Sequence, residues 1–128
     1  MIDPKIIFSL AIIGHNEKKH LQFLLPDVMN FADEIIYVDC ESEDQSYEYA
    51  ESLGCKVFRC PNNTNLNVNK TYAINQCKGE WILYLDPDER LTKELKIELK
   101  RKVFSSTTVD SAFFIKRKNH YFNRWLKY

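Results

Sequence analysis

Two aspartates separated by one proline, Asp86-Pro87-Asp88, are the residues of this 128-residue chain with the clearest potential for chemistry. Proline fixes its own backbone angle and lacks an amide donor, so the pair is predicted to lie on a stiff, extended turn. Two carboxylates held this close repel each other, and a divalent cation that bridges them to a phosphate relieves the repulsion. Because neither cysteine nor histidine is adjacent, the oxygen donors favour Mg²⁺ or Mn²⁺ over zinc.

Surface turns also use aspartate and proline often, so the motif taken alone favours a structural role. Its position reverses that balance, because Asp86 follows an apolar run of strand length and Asp39 follows another. Asp39 could accept a hydrogen bond from a nucleobase N–H or a ribose hydroxyl, or cap its own turn. His15 offers a ring for stacking and Lys70 a charge for a diphosphate, although each alone is typical of a surface residue. Their convergence predicts a nucleotide site.

The elements that must position these side chains alternate between strand and helix patterns. Strands are predicted at Ile6–Ile13, Ile35–Val38, Lys56–Arg59, Trp81–Leu85 and Ala112–Ile115. The alternation implies an α/β fold of three layers, Rossmann-like, with helices on both faces of a mostly parallel sheet. In the common strand order 3-2-1-4, ligands bind outside the strand carboxyl ends, between strands one and four. His15, Asp39 and residues 86–88 all fall there.

Helical spacing of apolar residues predicts a helix after each of the first four strands. Asn16 is expected to cap the first helix, with an acidic residue in its first turn, and Pro26 to kink or shorten it. The second should end at a left-handed Gly54, the third at Gly79, and the fourth should begin at Thr92. The apolar residues that recur at helical spacing are Leu21, Leu24, Leu25 and Val28; Tyr47, Ala50 and Leu53; Val68, Tyr72, Ala73 and Cys77; and Leu95, Leu99 and Val103.

Composition narrows the classes of function. Lysine plus arginine equals aspartate plus glutamate at 18 each, so no overall field attracts nucleic acid or an anionic membrane. A hydrophobic content of 45% suits one domain over residues 1–128. No transmembrane span or secretory signal is predicted, which favours a cytoplasmic protein. The four cysteines lack zinc-site spacing and are expected to be reduced, apolar residues, with a disulfide as the alternative. His20 and His120 are expected on the surface.

Three ordered blocks of the chain resemble glycosyltransferase family 2, and most closely its bacterial branch that adds sugars to lipopolysaccharide cores and related glycans. The blocks are residues 9–17 (SLAIIGHNE), 32–44 (ADEIIYVDCESED) and 78–90 (KGEWILYLDPDER). The resemblance implies the GT-A type of nucleotide-diphospho-sugar transferase fold. It also implies inverting transfer of a hexosyl-type sugar from a nucleoside diphosphate, expected to be UDP, to a glycan or lipid-linked hydroxyl. The transfer reaction would take place in the cytoplasm, where the protein would make a peripheral contact with the inner face of the cell membrane.

Six positions match the family's contacts to the nucleotide-sugar, and Mg²⁺ or Mn²⁺ is the implied cofactor. They are His15 and Glu17 in the first block, Asp39 for the base, Lys70 for the nucleotide, Asp86 on the ribose side with a share of the metal, and Asp88 for the metal. The implied chemistry is attack of an acceptor hydroxyl, activated by a carboxylate base, on the anomeric carbon as the nucleoside diphosphate departs. The base and most of the acceptor groove are expected beyond Tyr128. The chain is therefore interpreted as the nucleotide-sugar-binding portion of a truncated domain, inactive by itself.

Two departures from the family pattern lie in the loop after Asp39. The family usually has glycine where Glu41 stands and threonine where Glu43 stands, so two added carboxylates lie near an anionic ligand. His15 often corresponds to tyrosine, and Thr71 to asparagine. The added acids favour one alternative, a non-catalytic nucleotide-binding or interaction module. A nucleotidyltransferase on a similar sheet ranks lower, because no glycine-rich phosphate loop follows the first strand.

Overall fold

A four-stranded parallel sheet forms the centre of the chain in a computed structural model that describes residues 5–105, 112, 115, 118–121 and 124–127. Its strands are β1 (Phe8–Gly14), β2 (Glu34–Cys40), β3 (Lys56–Cys60) and β4 (Trp81–Leu85). They lie in the order β3-β2-β1-β4, with every neighbouring pair parallel. The predicted α/β class and strand order are confirmed.

Helices cover both faces of this sheet. They are α1 (Lys18–Val28), α2 (Ser46–Ser52), α3 (Leu66–Gln76) and α4 (Lys93–Val103). Successive strand side chains point to opposite faces, so neighbouring residues of β1 enter different cores. Leu10 packs in the core that contains Leu21 of α1 and Leu99 of α4, whereas Ala11 packs in the core that contains Ala73 of α3. The two cores confirm the predicted three layers and explain why β1 and β2 can be buried throughout.

The start of α1 differs from the prediction that Asn16 caps it. Asn16 has a left-handed φ of 53°, and the cap position belongs to Glu17, which was expected inside the first turn. The Asn16 side-chain oxygen instead accepts the backbone N–H of Glu43 at 2.7 Å. The Lys18 N–H of the first turn donates to the Asp44 carboxylate at 3.0 Å. Capping therefore comes from the loop after β2, which the local sequence pattern does not reveal.

The buried face of α3 also differs from the prediction. Val68 and Tyr72 belong to the apolar spacing that predicted this helix, but they are 52% and 36% exposed. The helix packs against the sheet through Asn69 and Ala73, both buried. A rule based on apolar periodicity misplaces this face because it assigns an asparagine to the solvent side.

The other helix ends follow the sequence more closely. The Thr92 hydroxyl caps α4 by accepting the backbone N–H of Leu95 at 3.1 Å. Gly54, just after α2, has a φ of 97° in the left-handed region, as predicted. Pro26 lies inside α1, which continues to Val28. Within the described part of the chain, no helix combines the length and apolar character needed to cross a membrane.

The last predicted strand, Ala112–Ile115, is not found at its two ends. Ala112 and Ile115 lie in no regular element, and residues 113 and 114 lie outside the described residues. Pairing resumes in an antiparallel ribbon formed by β5 (Lys118–Tyr121) and β6 (Arg124–Lys127). The side chain of His120 lies outside the described residues, so the prediction for it remains a prediction.

A buried glutamate joins the strands at the amino edge of the sheet. Glu34 is 6% exposed, and its carboxylate accepts from the Ser9 hydroxyl at 2.6 Å, from the Lys56 ammonium at 2.9 Å and from the Lys78 backbone N–H. Desolvation raises the pKa of Glu34, but these three donors outweigh it and hold the pKa below its ordinary value. Ser9 Oγ also accepts from the Gly79 N–H at 2.9 Å, and a Cβ at Gly79 would come within 2.5 Å of that oxygen. This close approach is the reason that position 79 requires glycine. Contrary to the prediction, the glycine does not end α3, because α3 has already ended three residues earlier.

Candidate functional site

The carboxyl ends of β2, β1 and β4 meet at one edge of the sheet, where the predicted site residues follow. Asp39 lies beside Gly14 in the register of β1 and β2, and Leu85 lies beside Ile12 in the register of β1 and β4. Asp39 and the turn that begins at Asp86 therefore flank the end of β1. Two strand spacings of about 4.8 Å each separate the strands that carry them. The topology gathers carboxylates that are distant in sequence.

The same three-residue pattern, Tyr-x-Asp, occurs at the carboxyl ends of β2 and β4, the two strands that flank β1. The Tyr37 hydroxyl donates to Asp39 at 3.1 Å, and the Tyr84 hydroxyl donates to Asp86 at 2.8 Å. Residues two apart on a strand share a face, which places each phenol beside its carboxylate. Burial, together with the adjacent aspartate, raises the pKa of both tyrosines far above its ordinary value, so each remains a donor. The sequence prediction missed the tyrosines, although the repeated spacing is a signal that finds them.

Asp39 is fully buried and already engaged on both oxygens. One oxygen accepts from Tyr37, and the other accepts the backbone N–H of Ser42 at 3.0 Å. Asp39 therefore caps the turn after β2, which is one of its two predicted roles. Each carboxylate oxygen has two acceptor positions, so capacity for a further donor remains. The base-reading role stays a prediction.

His15 is exposed just after β1, and its ring contacts the end of β2. Its Nδ1 lies 2.6 Å from the Cys40 carbonyl oxygen, and its Nε2 lies 3.2 Å from the Asn16 side-chain nitrogen. Only a ring with its proton on Nδ1 can donate to the carbonyl and accept from the amide, so these partners assign that tautomer. Glu17, the other predicted residue of this block, lies 2.6 Å from Nδ1 of His20, which is exposed as predicted. The first block thus places the hydrogen-bonded His15 ring and the paired Glu17 carboxylate beside the carboxyl edge of the sheet.

Lys70 reaches the same edge from α3. Its Nζ lies 4.7 Å from the centroid of the Tyr84 ring, within the range of a cation–π contact. Since the hydroxyl of that ring donates to Asp86, a single tyrosine connects a cation with a carboxylate of the acidic turn. The structure therefore brings Lys70 and Asp86 together.

Hydrogen bonds on both sides hold the Asp86-Pro87-Asp88 turn. The Glu89 carboxylate accepts the backbone N–H of Asp86 at 2.8 Å, and the Glu89 N–H donates to the Asp86 carbonyl at 3.0 Å. The Arg90 guanidinium donates to the Pro87 carbonyl at 2.9 Å. Pro87 is buried and Asp88 is exposed, so a rigid turn presents the second aspartate to solvent.

The donors at this turn suit a hard divalent ion that arrives with its own ligands. Among the described residues, no group of three or more histidine, cysteine, aspartate or glutamate side chains is placed to hold a metal. The turn offers the two carboxylates of Asp86 and Asp88 instead. Mg²⁺ is commonly held by one or two carboxylates, with waters and substrate phosphates completing its shell, whereas a structural zinc needs four protein ligands.

A family model decides which proteins this chain is related to. Residues 9–127 match the model of Glycosyl transferase family 2. The chain belongs to glycosyl transferase family 2. Uncharacterized glycosyltransferases of Rickettsia bellii and Rickettsia felis are 41% and 38% identical to it over 102 residues. These matches cover 80% of this chain but 34% and 35% of the two relatives, so the chain spans about a third of their length.

Solved structures share the fold of this family 2 chain at low sequence identity. Glucosyl-3-phosphoglycerate synthase from Mycobacterium tuberculosis, in complex with UDP, has a TM-score of 0.59 at 16% identity, over 79% of this chain and 41% of that one. The same synthase in complex with Mn²⁺, UDP and glucosyl-3-phosphoglycerate has a TM-score of 0.52 at 17% identity, over 64% and 33%. Mannosyl-3-phosphoglycerate synthase from Rubrobacter xylanophilus has a TM-score of 0.52 at 21% identity, over 69% and 32%. The GT-A type of fold is confirmed.

Position 41, where the family resemblance implies glycine, has a backbone conformation that suits glycine. Glu41 has a φ of 56°, in the left-handed region, just past the end of β2. A side chain in this conformation costs roughly 1–2 kcal/mol, a cost that glycine avoids. The side chain of Glu41 offsets little of this cost, because among the described residues its carboxylate accepts one hydrogen bond, from the Asn62 N–H, and that bond is long at 3.3 Å.

Replacing Glu41 by glycine is therefore expected to raise the free energy of unfolding by roughly 0.5–1 kcal/mol, the strain relief minus the chain entropy that glycine adds. Urea denaturation followed by circular dichroism measures it. Glu43→Gly is the matched control, since Glu43 is exposed in the same loop and has no left-handed φ. Glu43→Gly should lower the free energy of unfolding by roughly 0.5–1 kcal/mol, because it adds chain entropy and relieves no strain. If Glu41→Gly and Glu43→Gly changed the free energy of unfolding equally and in the same direction, the strain at position 41 would be contradicted.

Asn69 is a residue of this site that the sequence prediction missed. Its side chain is 2% exposed, and its amide nitrogen donates to the Pro61 carbonyl at 2.8 Å and to the Cys40 sulfur at 3.2 Å. Its amide oxygen accepts from Asn63 at 2.9 Å. Asn69 thus ties α3 to the end of β2 and to the loop after β3, one residue before Lys70. An asparagine surrounded by other asparagines in sequence gives no pattern by which to single it out.

The Asn69→Ala variant is expected to lose about 2 kcal/mol of unfolding free energy, because it removes three hydrogen bonds made by a buried side chain and leaves a small cavity beneath α3. Thermal or urea denaturation measures the loss. Asn75→Ala, an exposed change on the same helix, should stay within about 0.5 kcal/mol of the parent. A loss at Asn69 no larger than that at Asn75 would show that the buried network is not stabilising.

Proposed function

We propose that this family 2 chain binds a nucleoside-diphosphate sugar, with uridine diphosphate as the carrier, at the carboxyl edge of its sheet. The observation that carries the proposal is the link from Lys70 through the Tyr84 ring to Asp86, with Asp88 exposed on the same rigid turn. A cation for phosphate oxygens and carboxylates for a divalent ion are the two charges that a diphosphate with its metal requires.

Each residue of the edge has a proposed part in holding the donor. Asp88, with Asp86, would hold Mg²⁺ or Mn²⁺, which when bound supplies positive charge to the departing diphosphate. Lys70 would bind a phosphate oxygen directly, as a point charge. Asp39 would use its free acceptor capacity for the base, beside the fixed His15 ring. The Mycobacterium tuberculosis synthase of the same fold, whose structure contains Mn²⁺ and UDP, supports this arrangement.

For the whole protein we propose the transfer reaction of an inverting, hexosyl-type glycosyltransferase. The acceptor would be a glycan or lipid-linked hydroxyl in bacterial cell-envelope synthesis, of the lipopolysaccharide-core type, reached from the cytoplasm at the inner face of the membrane. Glycosyltransferases of Rickettsia among the relatives support the reaction class. The chain spans about a third of the length of those relatives, and we place the catalytic base and the acceptor groove outside residues 1–128.

Isothermal titration calorimetry with uridine diphosphate tests the donor site. We expect saturable binding in Mn²⁺ that is lost when the metal is chelated, and weaker binding of uridine monophosphate, which lacks the second phosphate. Binding that does not respond to Mn²⁺, or no binding in its presence, would rule against the proposed site.

A second function, a non-catalytic nucleotide-binding or interaction module, is favoured by one observation. Asp39 is buried with both oxygens engaged, and the exposed Glu41 and Glu43 follow it. Carboxylates beside a diphosphate repel it and would lower the affinity for the nucleotide-sugar donor. A longer version of the chain, assayed with a panel of nucleotide-sugars, separates the two functions. Sustained release of nucleoside diphosphate requires an enzyme. A non-catalytic module would bind the nucleotide-sugar without releasing nucleoside diphosphate from it.

A further inference from the structure

Two cysteines face each other across β2 and β3 at the edge that carries the proposed donor site. Cys40 and Cys60 are partners in the parallel register, each the last residue of its strand. Residues paired in register direct their side chains to the same face of a sheet. Both side chains accordingly lie in the core beneath α3, together with Ala73.

The strand geometry suits a covalent link between them. Neighbouring strands lie about 4.8 Å apart, and a disulfide requires Cα atoms about 4.4–6.8 Å apart. Both thiols are free in the structure. Cys40 is buried and Cys60 is half-buried, so a reagent from solvent meets Cys60 first and Cys40 lies behind it.

The other two cysteines lie elsewhere. The sulfur of Cys55 contacts that of Met29 at 3.9 Å in the core on the opposite face of the sheet. Cys77 follows α3 at the amino edge, where its sulfur contacts the Ala73 carbonyl and the negative charge of Glu34 is close enough to raise its pKa, after burial. All four cysteines are among the described residues, and the register pairs Cys40 with Cys60 alone.

We propose that Cys40 and Cys60 form a thiol–disulfide modification site whose co-reactant is a small disulfide of the oxidised glutathione class. The Cys60 thiolate attacks one sulfur of the reagent and breaks the S–S bond of the reagent. This step forms a mixed disulfide on Cys60 and releases the other half of the reagent as one reduced thiol. The Cys40 thiolate then attacks the Cys60 sulfur and expels the second reduced thiol. The two protein thiols lose two protons and two electrons, and the reagent disulfide gains both.

The link would reach the donor site through Asn69. The Asn69 amide donates to the Cys40 sulfur at 3.2 Å, and Lys70 is the next residue of α3. A sulfur bonded to Cys60 turns towards β3 and loses this contact, so the bridge loosens the attachment of α3 beside Lys70. This consequence depends on the proposed donor site, whereas formation of the bond does not.

Mass spectrometry tests the bond without reference to nucleotide. The Cys55→Ala variant is suitable because trypsin then separates the three remaining cysteines into residues 20–56, 60–70 and 71–78. Because burial raises the pKa of both Cys40 and Cys60, incubation with oxidised glutathione is done at mildly alkaline pH. Remaining thiols are alkylated before digestion.

The expected product joins peptide 20–56 to peptide 60–70, weighs two hydrogens less than their sum and disappears on reduction. Cys60→Ser in the same background is the control and should give no joined peptide. Alkylation of both thiols after equilibration, a lasting glutathione adduct on Cys60, or a bond to Cys77 would each overturn the proposal.

Calorimetry on the linked and reduced forms is the second arm. Weaker uridine diphosphate binding by the linked form, recovered on reduction, supports the path through Asn69, and unchanged binding overturns that path while leaving the bond established.

Discussion

The Asp88→Asn variant is expected to bind uridine diphosphate in Mn²⁺ at least about tenfold more weakly than the parent chain. Asparagine keeps the size of the side chain and one oxygen, but it removes the charge that holds the ion against the phosphates. Because Asp88 is exposed on a turn fixed by Glu89 and Arg90, its replacement should leave the fold unchanged. Isothermal titration calorimetry at fixed metal concentration measures the loss.

Two controls make this result specific. Glu51→Gln removes one negative charge from an exposed position on α2 and should leave the affinity unchanged. With the metal chelated, the parent and Asp88→Asn should bind equally weakly. If Asp88→Asn and Glu51→Gln reduce the affinity alike, the effect is one of net charge and Asp88 holds no ion.

The largest effect on stability is expected at Glu34, on the opposite edge of the sheet. Glu34→Ala should lower the free energy of unfolding by about 3 kcal/mol, because it leaves the buried Ser9 hydroxyl and the Lys78 N–H without an acceptor. Urea denaturation at neutral pH measures it. Glu80→Gln is the control, since Glu80 forms an exposed ion pair with Lys5 near the same edge. Exposed pairs contribute little, so that change should stay within about 0.5 kcal/mol.

The pH dependence gives an independent check on Glu34. Its pKa is lowered in the folded chain from an ordinary value of 4.5. A carboxyl group with a lowered folded pKa binds its proton more readily in the unfolded chain, so it stabilises the fold above pH 4.5 and loses that contribution as the pH falls through the folded pKa. Stability between pH 5 and pH 3 should therefore fall less steeply in Glu34→Gln than in the parent. Parallel curves would contradict the assigned pKa direction.

Most of the sheet could be predicted from the sequence because burial on both faces leaves a plain signal. The continuous apolar runs in β1 and β2 predict central strands, and β4 was placed at Trp81–Leu85 with both ends correct. The start of β2 was missed, because a charged residue does not suggest a buried strand. Glu34 is buried only because Ser9, Lys56 and Lys78 meet it from three other segments.

The errors in the helices have the same physical origin. Asn16 resembles a helix cap in sequence, but its partner is the Glu43 N–H of a loop that folding brings alongside. Asn69 resembles a solvent-facing residue, but folding supplies the Pro61 carbonyl and the Cys40 sulfur. Periodicity reports the average preference of a side chain for water, and it cannot report a partner that is distant in the chain.

The candidate site was predictable to the level of topology and no further. A parallel sheet brings residues that follow its strands to one edge, which is enough to group Asp39 with Asp86. The engagement of Asp39 by Tyr37 and the contact of Lys70 with Tyr84 depend on rotamers, which strand patterns do not determine.

Paramagnetic broadening by Mn²⁺ tests the central claim most directly. In the ¹H–¹⁵N spectrum of the chain with uridine diphosphate, the ion should broaden first the amide signals of Asp86 and Asp88, then those around Asp39 and Lys70. The signals of Ser9, Glu34 and Gly79 at the amino edge should be broadened least, and Mg²⁺ should cause no broadening. Strongest broadening at the amino edge or along α4, or equal broadening everywhere, would contradict a divalent ion held with phosphate at the carboxyl edge.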